Sequence, residues 1–220
     1  QLVMPEFDHT LLDQTSKAAV ARQIEYGRQR GVPWGMSESA YNMVDAQLNY
    51  QYRAFGVPGL GLKRGLADDL VVAPYASVMA LMVAPAAACA NLQRLAADGF
   101  VDKFGFFEAI DYTPSRQRRG QARVVVRAFM AHHQGMSLLA LAWLLRDRPM
   151  QRRFESERRF QAVMPLLQER IPRAAALFAH SVELSGLRAQ AAPLGMPQRL
   201  FDTPETPTPE VQLLSNGRYH

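Results

Sequence analysis

With 220 residues, of which 48% are hydrophobic, the chain is long enough to bury a sizeable core, and it reads as one large domain or one and a half small ones. No stretch reaches the roughly 18 uninterrupted apolar residues that a membrane-spanning helix needs, so this portion reads as soluble. A formal net charge of +5 raises nucleic acid as a partner, but the arginines cluster twice, within Arg116 to Arg127 and Arg146 to Arg159, in loops or beside Asp147, Glu155 and Glu157. That placement reads as a solvated surface and argues against a nucleic-acid binder.

Taken in chain order, Leu11, Leu12, Ala18, Ala19, Ile24 and Tyr26 recur at helical spacing and predict a helix over about 10–30, loosened by Gly27 and Gly31 and stopped by Pro33. From there to Pro74 the text is irregular and aromatic, which reads as a packed functional loop region. Tyr75 to Val83 and Pro85 to Ala97 predict two short helices, the second with Pro at its favoured first turn and Gly99 closing it. Its Cys89 reads as a small buried thiol, not a nucleophile, and weakly suggests a reducing compartment. Val124 to Arg146 predicts one long helix or two, interrupted near Gly135, although Val71-Val72 and Val124 to Val126 hint at strand. Met150 to Ile171 gives a further pair of amphipathic helices. The class is mainly α. Thr203 to Pro209, with three prolines, reads as an interdomain linker. The start at Gln1 without Met, and the text from Leu213 to His220, read as a piece cut from a longer protein.

Two glutamates stand in unusual settings. Glu38 lies in GVPWGMSES (31–39) and Glu108 in GFFEAIDYT (105–113). A glycosidic bond is broken by one carboxyl group that protonates the leaving oxygen and a second that attacks the anomeric carbon or activates water, and aromatic faces are what sugar rings stack on. Glu38 between two serines reads equally well as part of a helix N-terminus. Glu108 among phenylalanines would be partly desolvated, as a catalytic carboxyl needs, or else rides a helix edge, with Asp111 on the same helical face to bind substrate or cap the turn. Asp68 and Asp69 are alternative carboxylates. Other chemistries fall away. The glycines of Gly56 to Gly61 run G-x-x-G-x-G with Pro58 between them and follow no clear strand, so no dinucleotide loop is present. His132 and His133 are neighbours on a helix, point about 100° apart, and lack a third ligand at a familiar spacing, so a metal is not expected. No nucleophile elbow or placed Cys-His pair occurs.

Together with YQYRAFGVPGLGLKRGL (50–66), AHHQGM (131–136) and LQERIPR (167–173), these segments resemble cyclic β-1,2-glucan synthases, in the middle, glucoamylase-like region of those large inner-membrane proteins. The resemblance implies a partial (α/α)-barrel over residues 1–200, of the (α/α)6 kind when complete, followed over 201–220 by a linker and the start of a phosphorylase-like part. It implies a transglycosylase that cyclises linear β-1,2-glucan with retention, needs no cofactor or metal, and works on the cytoplasmic side of the bacterial inner membrane beside a glycosyltransferase part of the same polypeptide. By position Glu108 becomes the nucleophile and Glu38 the acid/base, with the roles exchangeable. Trp34, Tyr52, Phe55, Arg64, Asp111, Tyr112, His132, His133 and Gln134 would line the cleft. A hydrolase of the same glucan and a non-catalytic glucan-binding scaffold are the alternatives.

Overall fold

A computed structural model describes residues 1–170. Its first element, α1 (Leu11–Arg30), has a cap at each end. The Thr10 hydroxyl accepts from the Asp13 amide at 3.3 Å, and Gly31 closes the helix in the left-handed conformation, φ 69°, its N–H reaching the carbonyls of Arg28 and Gly27. Gly27 does not loosen the helix. A Cβ there would stand 2.7 Å from Trp34 Cβ and 3.1 Å from the Trp34 backbone, so glycine is what lets the following segment fold back against α1.

The irregular region after α1 holds an antiparallel hairpin, β1 (Ser39–Val44) and β2 (Tyr50–Arg53). Its register slips between Ala40 and Val44, and its turn is closed by the Asp45 carboxylate, which accepts from the amides of Gln47 and Asn49. Beside it lies a three-stranded antiparallel sheet of β3 (Val71–Val72), β6 (Ala109–Asp111) and β7 (Val124–Val126), with β6 in the centre. Val71, Val72, Ala109, Ile110 and Val126 are fully buried, which suits β-branched side chains on both faces of a short central sheet. A small hairpin, β4 (Val101–Asp102) with β5 (Gly105–Phe106), precedes β6.

The remaining helices are α2 (Pro74–Met79) with a 3-10 turn over 80–82, α3 (Pro85–Ala97), α4 (Ala131–Leu145), α5 (Pro149–Ser156), α6 (Arg158–Gln161) and α7 (Met164–Leu167). Pro74 and Pro85 open α2 and α3, and Gly99, φ 83°, follows the end of α3. Helix α2 packs on α3 and α4 through Val78, Leu81, Ala88 and Ala140. On α3 the buried residues are Ala88, Asn91 and Leu95, a helical stripe. Cys89 is off that stripe and exposed, contrary to the buried thiol expected.

The mainly α expectation holds. Two helical expectations do not: Val124–Val126 is strand, so that α4 begins at Ala131 and runs through Gly135 unbroken, and Asp111 lies on β6 and not on a helix with Glu108. The expected helix pair after Met150 is three short pieces. The described residues include four helices of eight residues or more, fewer than a ring of six helix pairs requires, and none is long and apolar enough to cross a membrane. The prolyl linker, the boundary at residue 200 and the last three residues of LQERIPR lie outside the described residues.

A buried ion network ties the hairpin to the sheet. The fully buried Asp111 carboxylate accepts from the Asn42 amide, the Thr113 amide, and Arg116 Nε at 2.6 Å. Arg116 also pairs with Asp69 and stacks over the rings of Tyr41 and Phe55, 5.0 and 5.7 Å from their centroids. Burial works against its charge, but the hydrogen bonds to Asp111 and Asp69 outweigh that and raise its pKa. Arg116 is therefore internal, while the other arginines of the two groups are exposed.

Two stability predictions follow from this packing. Arg116→Ala leaves Asp111 buried without its counter-ion and should cost about 3–5 kcal/mol in urea unfolding; a loss below about 1 kcal/mol would contradict the network's role. Gly27→Ala should cost about 1–3 kcal/mol through overpacking against Trp34, and an unchanged midpoint would show that the two segments separate freely.

Candidate active site

Glu38 and Glu108, seventy residues apart in the sequence, meet at one imidazole. Glu108 sits at the entry to β6, its amide held by the Ala128 carbonyl at 2.9 Å, and its side chain is 1% exposed. Both carboxylate oxygens lie on His133 Nδ1, at 2.9 and 3.0 Å, and one of them also accepts from the Ala40 amide at 3.2 Å. A buried carboxylate is tolerated only with such partners. The Ala40 contact has a further consequence, because Ala40 is two residues beyond Glu38: the acceptor that needs the donor also fixes where Glu38 emerges.

Glu38 itself is exposed. Its residue lies in the bend before β1, so the helix N-terminus reading of Ser37 to Ser39 does not hold. A carboxylate oxygen of Glu38 and a ring nitrogen of each of His132 and His133 all lie within 4.8 Å of one another. The Tyr75 hydroxyl donates to the Glu38 carbonyl at 3.2 Å and shares a 2.7 Å hydrogen bond with Ser37.

His133 is held on one face and at both nitrogens. Tyr75 stacks on it at 3.7 Å and 11°, and the Tyr52 ring lies 6.0 Å away, tilted by 28°. The Glu108 carboxylate accepts a hydrogen bond from Nδ1–H, and Nε2 faces the Tyr52 hydroxyl at 3.1 Å. The same hydroxyl lies 3.2 Å from His132 Nε2. A continuous polar chain thus runs from buried Glu108 through His133 and Tyr52 to exposed His132. The Tyr52 phenol is pushed up to about 12, first by desolvation at its hydroxyl end, although the residue as a whole is exposed, and then by Glu38, Tyr75 and Glu108, so it is a neutral donor at physiological pH. Burial likewise raises Tyr75.

The remaining expected cleft residues are distributed differently. Gln134 borders a cavity of about 250 Å³ together with Glu108, His133, Phe106 and Leu138. Trp34 is core: Asn91 and Ser77 bind its backbone and its ring packs among Val78, Leu81 and Ala88. Phe55 is core beneath Arg116. Asp111 belongs to the Arg116 network, and Tyr112 packs against the core cluster of Leu95 and Phe100 with its hydroxyl buried and unpartnered. Arg64 is exposed in the loop before β3. Asp69 pairs with Arg116, and Asp68 is exposed. Tyr75, Ser37 and the Ala40 amide are the site groups that sequence reasoning missed; only the position of Tyr75 at a Pro-opened helix start hinted at order there. Exposed Phe104 and Phe129, with ring centroids 6.1 Å apart, form an aromatic edge next to Phe107.

Chemically the arrangement offers one buried carboxylate, Glu108, tied through His133 to the Tyr52 hydroxyl, and one exposed carboxylate, Glu38, within 4.8 Å of the histidine ring nitrogens. A phenol whose folded pKa lies above the ordinary value of about 10 adds stability that is complete below pH ~10 and is lost as the pH rises through about 12. Denaturant unfolding at stepped alkaline pH should therefore decline less between pH ~10 and ~12 in Tyr52→Phe than in the wild type; parallel declines would place Tyr52 outside the chain.

Comparisons with known proteins bear on this geometry. Over 219 residues the chain is 43% identical to the cyclic beta-(1,2)-glucan synthase NdvB of Rhizobium meliloti (strain 1021), a match that covers 99% of this chain and 8% of that protein. The resemblance read from the motifs is thereby borne out. Among solved structures, a putative glucoamylase from Bacteroides fragilis NCTC 9343 aligns with a TM-score of 0.47 and 18% identity over 70% of this chain and 33% of its own. An endo-beta-1,2-glucanase from Chitinophaga pinensis, in complex with sophorotriose and glucose, aligns with a TM-score of 0.46 and 18% identity over the same shares. The sequence model of the family described as "Glycoamylase: Putative glucoamylase" matches residues 6–158, and the chain belongs to that family.

Proposed function

We propose that this chain carries the catalytic carboxylates of a retaining transglycosylase that cyclises linear β-1,2-glucan. The observation that carries the reading is the meeting of Glu38 and Glu108 at His133, in a chain 43% identical to a cyclic beta-(1,2)-glucan synthase. In this reading residues 1–200 contribute to an (α/α)-barrel and 201–220 lead into a following part of the same polypeptide. The enzyme works on the cytoplasmic side of the inner membrane.

Glu108, held by Ala40 and His133, is oriented as the nucleophile. It attacks the anomeric carbon while Glu38, in its acid form, gives its proton to the departing glycosidic oxygen, and the glucan is left bound to Glu108 as an ester. An acceptor hydroxyl, in cyclisation the far end of the same chain, then loses its proton to Glu38 and attacks the same carbon. The ester bond breaks and Glu108 is released as carboxylate. Two inversions give retention. Because the Glu108 side chain is 1% exposed, a sugar ring reaches it only after Tyr52 swings outward with its hairpin, which makes hairpin opening part of substrate binding.

The test is turnover of linear β-1,2-glucan by the full-length protein. Glu108→Gln and Glu38→Gln should each lower it by about a thousandfold or more, since a covalent mechanism loses its route without either group, while the wild type gives cyclic or redistributed products of retained configuration by NMR. Shortened, inverted products would make the enzyme a hydrolase of another mechanism, and turnover surviving in both variants would leave a glucan-binding scaffold.

A further inference from the structure

The exposed edge of the site has the donor set of a metal centre. His132 and His133 are adjacent on α4, an arrangement that ordinarily splays two imidazoles, yet their ring centroids are only 4.0 Å apart. The Tyr52 hydroxyl lies 3.2 Å from His132 Nε2 and 3.1 Å from His133 Nε2. Bonds of about 2.0–2.1 Å to a tetrahedral ion place neighbouring ligand atoms about 3.3–3.4 Å apart; the two separations from the Tyr52 hydroxyl are close to that, and the two histidines each offer a ring nitrogen within 4.8 Å of the other. Glu38 supplies a fourth, anionic oxygen within 4.8 Å of the ring nitrogens, on a solvent-facing side chain that can close the remaining gap. Among the described residues this is the one such group of His, Cys, Asp and Glu.

The second observation is the back side of His133. A metal-ligating histidine commonly gives its other ring N–H to a carboxylate, which sets the tautomer and raises the basicity of the ligating nitrogen. Glu108 does that on Nδ1, leaving the Nε2 lone pair directed at Tyr52. Burial of both groups, each 1% exposed, holds that orientation.

We infer that Glu38, His132 and His133 bind one divalent transition ion of the zinc class, with the Tyr52 oxygen completing the set as its phenol proton is released to solvent on loading, and with Glu108 as the outer carboxylate. Two imidazoles with two oxygens suit Zn2+ and its substitute Co2+ better than Mg2+ or Ca2+, which take oxygen ligands. Loading occupies Glu38 and pins Tyr52 inward, so it shuts the site. This last clause rests on the transglycosylase reading, whereas ion binding itself does not.

Co2+ is titrated into the metal-free full chain, followed by its visible absorption and by calorimetry. One equivalent with a tetrahedral-type band is expected, lost in His132→Ala and weakened about 10–100-fold in Glu108→Gln. His132→Gln repeats the test should the alanine variant fail to fold by circular dichroism. No uptake at one equivalent, or uptake undiminished by either His132 variant, overturns the site. Zn2+ should further suppress glucan turnover, with recovery on chelation. If the metal-free protein binds Co2+ as expected but turns over no glucan, the ion site stands and the transglycosylase reading falls; turnover unaffected in the loaded protein overturns the shut state.

Discussion

The structure turns on one buried carboxylate. Glu108 accepts from the Ala40 amide and from His133, and each contact organises a different part of the molecule. Unpaired, such a group would be expelled from the interior or neutralised. Paired, it docks the β1–β2 hairpin on the end of β6 and orients the His133 imidazole, which stacks on Tyr75 and meets the Tyr52 hydroxyl. Asp111 repeats the device two positions further along β1, at the Asn42 amide. Ala40 and Asn42 are an i, i+2 pair, so their N–H groups leave the same edge of β1, and that edge is satisfied by two carboxylates where a sheet would supply a neighbouring strand.

The site divides by burial. Glu108 and His133 are buried, beside Tyr75 and the Ala40 amide. Glu38 and Tyr52 are exposed, and both are attached to the hairpin. The Arg116 network anchors the middle of the hairpin through Asn42, Tyr41 and Phe55. In the proposed transglycosylase reading, a buried reacting group behind an exposed wall is the combination that admits a bulky, polar glucan.

Helices were legible where backbone chemistry marks them. Pro85 and Gly99 were read at the ends of α3 because prolines and glycines act locally, whereas Gly31, read as loosening α1 ahead of Pro33, is its C-cap, and the Thr10 cap went unread. The hairpin was not legible, since its docking depends on carboxylates about seventy residues away, and the Val124–Val126 strand was offset by the helical text after it. The two glutamates were read from their aromatic settings, and the structure brings them to one imidazole. Their aromatic neighbours were less readable. Trp34 and Phe55 lie in the core while Tyr52 faces solvent, because a ring that fills a core and a ring that stacks on sugar look alike in sequence. Cys89 was misread for a related reason: its alanine-rich surroundings cover both faces of α3, and only the stripe Ala88, Asn91, Leu95 tells which one is buried.

The measurement that bears most directly on this account is amide hydrogen exchange of the full chain with and without the Glu108 carboxylate. In Glu108→Ala, exchange over 39–44 should rise on the order of tenfold or more, the loss expected for a charged hydrogen bond, while the β6–β7 amides of Ile110 and Val125 keep their protection. Unchanged exchange at Ala40 would contradict it, and would mean that the hairpin, and Glu38 with it, is positioned by something other than Glu108.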